Sequence, residues 1–172
     1  MDRISWDDYF MLQAFVISTR SHDPDTQHGS IIVDKDNIVV SQGFNGWPRG
    51  FNNDQIPVTR PEKYSGMVHS ELNAILCSKR CLSGTKLYVT GPPCEKCWLS
   101  IIQSNIKKVV YGPIKSNAHN SPHLNDSSNN LIKKLLESSD ILVTEWKPDS
   151  EILNSDVVQH RIKKIIQNFV KN

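Results

Sequence analysis

Apolar residues first recur at helical spacing in Phe10, Ala14, Phe15 and Ile17, downstream of Ser5 and the acids Asp7 and Asp8. A serine that can accept from the free N–H groups of a first turn, with acids against the positive helix end, predicts a helix over residues 5–20. The period then shortens. Residues 29–33 and 38–44 are β-branched runs separated by Asp34-Lys35-Asp36-Asn37, which predicts two antiparallel strands joined by a hairpin turn. Residues 45–66 are rich in Gly, Pro, Asn and Asp with no sustained period. That predicts a long loop, and because such loops in compact domains are usually functional, this one is expected to border the functional site.

Helical spacing returns at Val68, Leu72, Ile75 and Leu76, predicting a helix over residues 67–79 that ends before the break at Ser83-Gly84. Residues 86–90 read as a short buried strand. A second helix is expected to begin at Pro93, a residue favoured in the first turn, with Trp98, Ile101 and Ile102 turned inward. Residues 107–111 predict another strand, 117–130 a polar Ser/Asn stretch, 131–138 a helix and 141–146 a last strand. Strand–helix–strand units after residue 85 imply parallel neighbours with right-handed crossovers, hence an α/β fold with a mixed sheet of about five strands between helical layers.

There are no internal repeats, and a length of 172 residues predicts one domain over residues 1–172. Beyond Pro148, Val158, Ile162, Ile165, Ile166 and Phe169 mark one face of an amphipathic helix within 149–172, packed on the domain or on a neighbouring subunit. Its Arg161, Lys163, Lys164 and Lys171 read as a solvated face rather than a phosphate- or membrane-binding one.

Hydrophobic content of 38%, four Trp and dispersed charge place the chain among globular proteins. No apolar run approaches the roughly 20 residues that span a bilayer. The start, MDRISWDDYF, has acids where a signal peptide needs a basic and then an apolar region, so no targeting segment is expected and a cytoplasmic location is. Four cysteines suit a reducing compartment, and a net charge of +2 is too small for a nucleic-acid partner, which favours a small-molecule substrate.

The chemistry is concentrated in His69-Ser70-Glu71 and Pro93-Cys94-Glu95-Lys96-Cys97. Three ligands, His69, Cys94 and Cys97, leave a tetrahedral zinc one coordination place short, where a water can be bound and acidified, with Glu71 as the base beside it. The H-x-E…P-C-x-x-C pattern is the signature of zinc-dependent nucleobase deaminases, in which the Glu is acid and base and not a ligand. Both ligand segments open helices, so their positive ends favour thiolates. A competing reading joins Cys77, Cys81, Cys94 and Cys97 into a closed, non-catalytic zinc-binding module of four cysteines. It leaves His69 and Glu71 unexplained, and Cys77 and Cys81 lie in an apolar helical run where small buried cysteines are the simpler account. The pair His119 and His123 lies in a Ser/Asn/Pro stretch and reads as a surface loop rather than a second metal site.

HSELNAIL resembles the HAExNAI helix of deoxycytidylate deaminases, and TGPPCEKCWLSIIQSNIKKVVYG resembles the strand and helix that follow it there. SWDDYFMLQAF, RSHDPDTQHGSIIVD and GFNGWPRGFNND have counterparts in the same order, so the likeness spans roughly residues 4–112. The NGWPRG loop and the NAI ending set the chain apart from cytidine deaminases and tRNA adenosine deaminases. Ser70 stands where the family usually has Ala, and Gly91-Pro92 precedes Pro93.

The resemblance implies a three-layer αβα cytidine-deaminase-like fold, one catalytic Zn2+ per subunit, and hydrolysis of dCMP to dUMP and ammonia, a step toward dTTP. A dCTP or broader cytosine-nucleotide deaminase is the alternative. It places Asn45 near the sugar, with Arg20, Arg49, Ser70 and Pro93 as further substrate-binding candidates. It also implies a homo-oligomer, a hexamer in many members, activated by dCTP with Mg2+ and inhibited by dTTP through a site near the helix after the zinc His, where Arg80 is the effector candidate.

Overall fold

Ser5 caps the first helix, α1 (Trp6–Ser18): its Oγ accepts from Asp8 N at 3.0 Å and donates to Asp8 Oδ2 at 2.7 Å. The expected dipole acids are also tertiary anchors. Asp7 Oδ1 accepts from Tyr88 Oη at 2.7 Å and from Lys108 Nζ at 2.9 Å, and Asp8 Oδ1 accepts from Trp146 Nε1 at 2.8 Å. The computed structural model describes residues 3–51, 62–114 and 130–148.

Five strands make one sheet: β1 (Gly29–Val33), β2 (Val39–Phe44), β3 (Lys86–Val89), β4 (Lys108–Tyr111) and β5 (Leu142–Glu145), in the order β2-β1-β3-β4-β5. β1 pairs antiparallel with β2 and with β3, while β3, β4 and β5 run parallel. Strand alternation sends Ile31, Val33, Tyr88 and Val110 to one face, against Phe10, Met11 and Ala14 of α1. Ile32, Leu87, Val89 and Val109 face the other way, against Ala74 of α3 (Ser70–Cys77), Trp98 and Ile101 of α4 (Glu95–Gln103), and Ile132 and Leu136 of α5 (Asn130–Ser138). The result is the expected three-layer αβα arrangement around a mixed sheet. The segment 149–172 and the pair His119 and His123 lie outside the described residues.

Three boundaries differ from the sequence reading. Val68 exchanges both backbone hydrogen bonds with Gly46, at 2.8 and 3.0 Å, so the chain is extended there and α3 starts at Ser70, not at residue 67. It also stops early: Ser78 is extended (ψ 133°), which leaves Arg80 beyond the helix rather than on it. Cys94 is extended as well (ψ 170°), so α4 begins at Glu95 and Pro93 lies ahead of it. The long loop contains a short helix at its end, α2 (Glu62–Gly66).

Two glycines set the layer spacing. A Cβ on Gly29 would stand 2.0 Å from the carbonyl oxygen of Ala14, and one on Gly43 would stand 2.4 Å from both Ser70 O and Ala74 N. Each lets a helix backbone close onto the sheet, α1 on one face and α3 on the other. Because both obstacles at Gly43 are backbone, Gly43→Ala is expected to cost roughly 1–3 kcal/mol in urea unfolding. Gly46→Ala is the control, since its nearest contact would be 3.4 Å. Equal stability of the two variants would refute the close-approach account.

Candidate active site

The parallel strand β3 ends at Val89, and Thr90-Gly91-Pro92-Pro93 leads from its carboxyl end to α4. Ligand sites in open α/β sheets form beyond such strand ends. Here both α3 and α4 begin. His69 and Cys94 are the residues at the two helix caps, both with extended backbones, and neither makes a side-chain capping hydrogen bond of the usual kind. A Ser or Asp at a cap would spend its side chain on the helix N–H groups. His69 and Cys94 are free to turn toward each other, and Cys97, in the first turn of α4, joins them.

His69 Nδ1 lies 3.3 Å from Cys94 Sγ and 3.5 Å from Cys97 Sγ, and all three ligand atoms fall within 4.8 Å of one another. A tetrahedral zinc with Zn–N of about 2.0 Å and Zn–S of about 2.3 Å sets N···S near 3.6 Å, so the donor set fits such an ion in kind and in spacing. No fourth His, Cys, Asp or Glu joins the cluster among the described residues. The trio is open at exposed His69 and closed at buried Cys97. Accepting a hydrogen bond from Cys97, and another from His69, draws the Cys94 thiol down to about 4. Donating that bond, together with burial, pushes Cys97 up. His69 is raised, mainly by its bond to Cys94. One sulfur is thus set to be a thiolate, and a metal that needs both must displace the proton between them.

Glu71 belongs to the first turn of α3 and is 5% exposed. Its charge acts on Cys97, and Ser70 Oγ donates to Oε2 at 2.9 Å. Burial raises its pKa, against the pull of nearby His69. A carboxyl held above its usual range beside such a cluster is suited to taking and returning protons.

Residues 4–113 match the family described as the cytidine and deoxycytidylate deaminase zinc-binding region. The chain belongs to this deaminase family. It is 42% identical over 120 residues to a probable deoxycytidylate deaminase of Drosophila melanogaster, covering 63% of this chain and 59% of that one. It is 38% identical over 117 residues to deoxycytidylate deaminase of Homo sapiens, covering 64% and 66%. The chain therefore spans less than two thirds of these relatives' length. The crystal structure of dCMP deaminase from cyanophage S-TIM5 has the same fold, with a TM-score of 0.61 at 23% identity over 81% of this chain and 96% of that one.

The family's other expected positions are distributed unevenly. Asn45 is buried, and its amide is engaged within the protein: Oδ1 accepts from His28 N at 2.7 Å and Nδ2 donates to Thr26 O at 3.0 Å. Pro93 is buried next to Cys94. The Ser70 side chain is fully buried and turns toward Ser30 and Glu71. Arg20 is exposed just past α1. Arg49 donates to Cys77 Sγ at 2.9 Å, which is two helical turns, about 12 Å, along α3 from His69. Arg80 forms a 3.8 Å ion pair with Asp34, past the end of β1 that lies away from Thr90. Cys77 sits at the far end of α3 and Cys81 is exposed beyond it, outside the ligand cluster, so the four-cysteine module is not what forms.

Several residues of the site had no strong sequence signal. Asn73 Nδ2 donates to Phe44 O at 2.9 Å and ties α3 to β2. Lys63, 2% exposed inside the long loop, pairs with Asp23 at 2.5 Å and Asp25 at 2.7 Å. His28 Nδ1 lies 3.2 Å from Thr90 Oγ1, which also accepts from Gly29 N at 3.1 Å. The buried Thr90 hydroxyl thus joins His28 to the start of β1. Only the strand-start position of His28 and the lone hydroxyls near it pointed here.

Burial first, and repulsion from His69 second, lower His28 from 6.5 to about 4, with Asp23 opposing. Between those values the unfolded chain binds a proton that the folded chain refuses, so this stability is complete above pH 6.5 and is lost as pH falls toward 4. The full contribution is on the order of 3 kcal/mol. Urea unfolding between pH 5 and 7 is expected to show a shallower pH slope in His28→Gln than in the unaltered chain, and parallel slopes would refute this assignment. Metal content discriminates the cysteines. Cys94→Ser and Cys97→Ser are expected to lose zinc by elemental analysis while Cys77→Ser and Cys81→Ser keep it, and the reverse pattern would restore the four-cysteine module.

Proposed function

We propose that this chain hydrolyses dCMP to dUMP and ammonia, with one Zn2+ per subunit held by His69, Cys94 and Cys97 and with Glu71 as the acid–base group. One observation carries the proposal: a buried Glu71 carboxyl, two residues past His69 in the first turn of α3, accompanies a three-ligand cluster with no fourth protein ligand among the described residues. Support for the substrate comes from relatives named deoxycytidylate deaminase in Drosophila melanogaster and Homo sapiens, and from a cyanophage enzyme of the same fold crystallised with dCMP and dUMP.

Zinc bound to this trio supplies Lewis acidity that lowers the pKa of a water toward ~7. Glu71 accepts the proton of the attacking water as its oxygen adds to C4, and delivers that proton to ring N3. Glu71 then moves a proton to the amino nitrogen, the C4–N bond breaks and ammonia leaves, so one water is consumed for each ammonia formed. Pro93 and the start of α4 keep Cys94 on a rigid element. Asn45, by clamping residues 26–28, shapes the wall beside the sugar. Arg20, next to Ser21, whose hydroxyl bonds Asn45 O at 2.7 Å, is the better-placed cation for the phosphate, since Arg49 is turned to Cys77.

The same reading extends to a cytoplasmic homo-oligomer that binds dCTP with Mg2+ as activator and dTTP as inhibitor. No helix among the described residues is long and apolar enough to cross a membrane.

Ammonia release from dCMP, CMP, dCTP and deoxycytidine, with and without dCTP and dTTP, tests the substrate, and dCMP is expected to be fastest. Glu71→Ala is expected to lower turnover by roughly 100- to 10,000-fold while retaining one zinc per chain. Retained activity, or loss of the metal in that variant, would overturn the role of Glu71.

A further inference from the structure

Ser70, the residue that departs from the family's usual Ala, is part of a buried chain of hydroxyls. Ser30 Oγ lies 2.7 Å from Ser70 Oγ, and Ser70 Oγ lies 2.9 Å from Glu71 Oε2. Ser30 and Ser70 are 0% exposed and Glu71 is 5%, so bulk water does not compete for these groups. The direction of the chain follows from proton count. Ser70 has one hydroxyl proton, and an ionised carboxylate can only accept, so Ser70 donates to Oε2 and Ser30 donates to Ser70.

We infer that Ser30 and Ser70 are positioning residues that hold one oxygen of Glu71, leaving Oε1 as the oxygen that exchanges protons with water and substrate. This rests on the deaminase reading above. Ser30 is fixed by the register of the interior strand β1, paired with Gly43 on one side and Val89 on the other, and it shares the face of Ile32 that meets α3. Ser70 is fixed as the first residue of α3. A glutamate has three rotatable side-chain bonds, and a hydroxyl on a rigid element removes that freedom at Oε2. Acid–base transfer needs the working oxygen within about 2.6–3.2 Å of its proton partner, so this restraint acts on turnover rather than on substrate binding.

The test uses the zinc-loaded full chain with dCMP, and the variants Ser30→Ala, Ser70→Ala, their combination and Ser41→Ala. Ser41 is the control because its buried hydroxyl also bonds α3, to Ala74 O at 2.6 Å, without touching Glu71. Losing a hydrogen bond to a charged group predicts a fall in kcat of about tenfold in Ser70→Ala, with KM within about twofold and zinc content unchanged. Because Ser30 acts through Ser70, the double variant is expected to match Ser70→Ala rather than multiply the two effects. The double variant leaves no orphaned hydroxyl proton, so it carries the comparison even where Ser70→Ala is weakened in folding. Ser41→Ala is expected to keep kcat. A double variant with wild-type kcat, effects that multiply, or an equal fall in Ser41→Ala would each overturn the inference. Wild-type protein without activity on dCMP would instead overturn the proposed function.

Discussion

Two helices have to begin at the same place, and the site follows from that constraint. The backbone of α3 reaches it by lying directly on β2 at Gly43, where its first-turn carbonyl stands too close for any Cβ. Asn73 Nδ2 bonded to Phe44 O ties the helix to the end of β2. The other helix, α4, is set by apolar burial, with Trp98 and Ile101 almost fully enclosed against the sheet. These restraints act on different elements, yet each determines where a cap residue falls. Because His69 and Cys94 are the caps, the ligand cluster inherits the rigidity of both helices.

Charge is kept at the site by burying it with partners. Among the described residues no buried side-chain nitrogen or oxygen lacks a hydrogen-bond partner, which is what a low-dielectric interior requires. Glu71 is raised by burial yet tethered by Ser70, and His28 is lowered by burial and by nearby His69. Asp23 gathers Lys63 and the N–H groups of Asp25 and Thr26, and in doing so closes the loop that Asn45 clamps from the other side. The members of this polar network come from segments far apart in the chain.

The sequence by itself determined the class of fold and marked the candidate trio and the acid near it. Those signals are local: the H-x-E and C-x-x-C spacings, the helix start at Ser5, and the change of apolar period between helix and strand. Each can be read within a few residues because backbone geometry repeats on that scale. Local periodicity could not show where α3 and α4 begin, since the Val68–Gly46 bridge and the extended backbone at Cys94 depend on partners elsewhere. Nor could it show that Asp7 and Asp8, readable as helix-end acids, hold Tyr88, Lys108 and Trp146. The hydroxyl chain from Ser30 to Glu71 was equally invisible, because 40 residues separate its two serines. Contacts of that span are made by sheet register and helix docking, and only the assembled tertiary structure decided them.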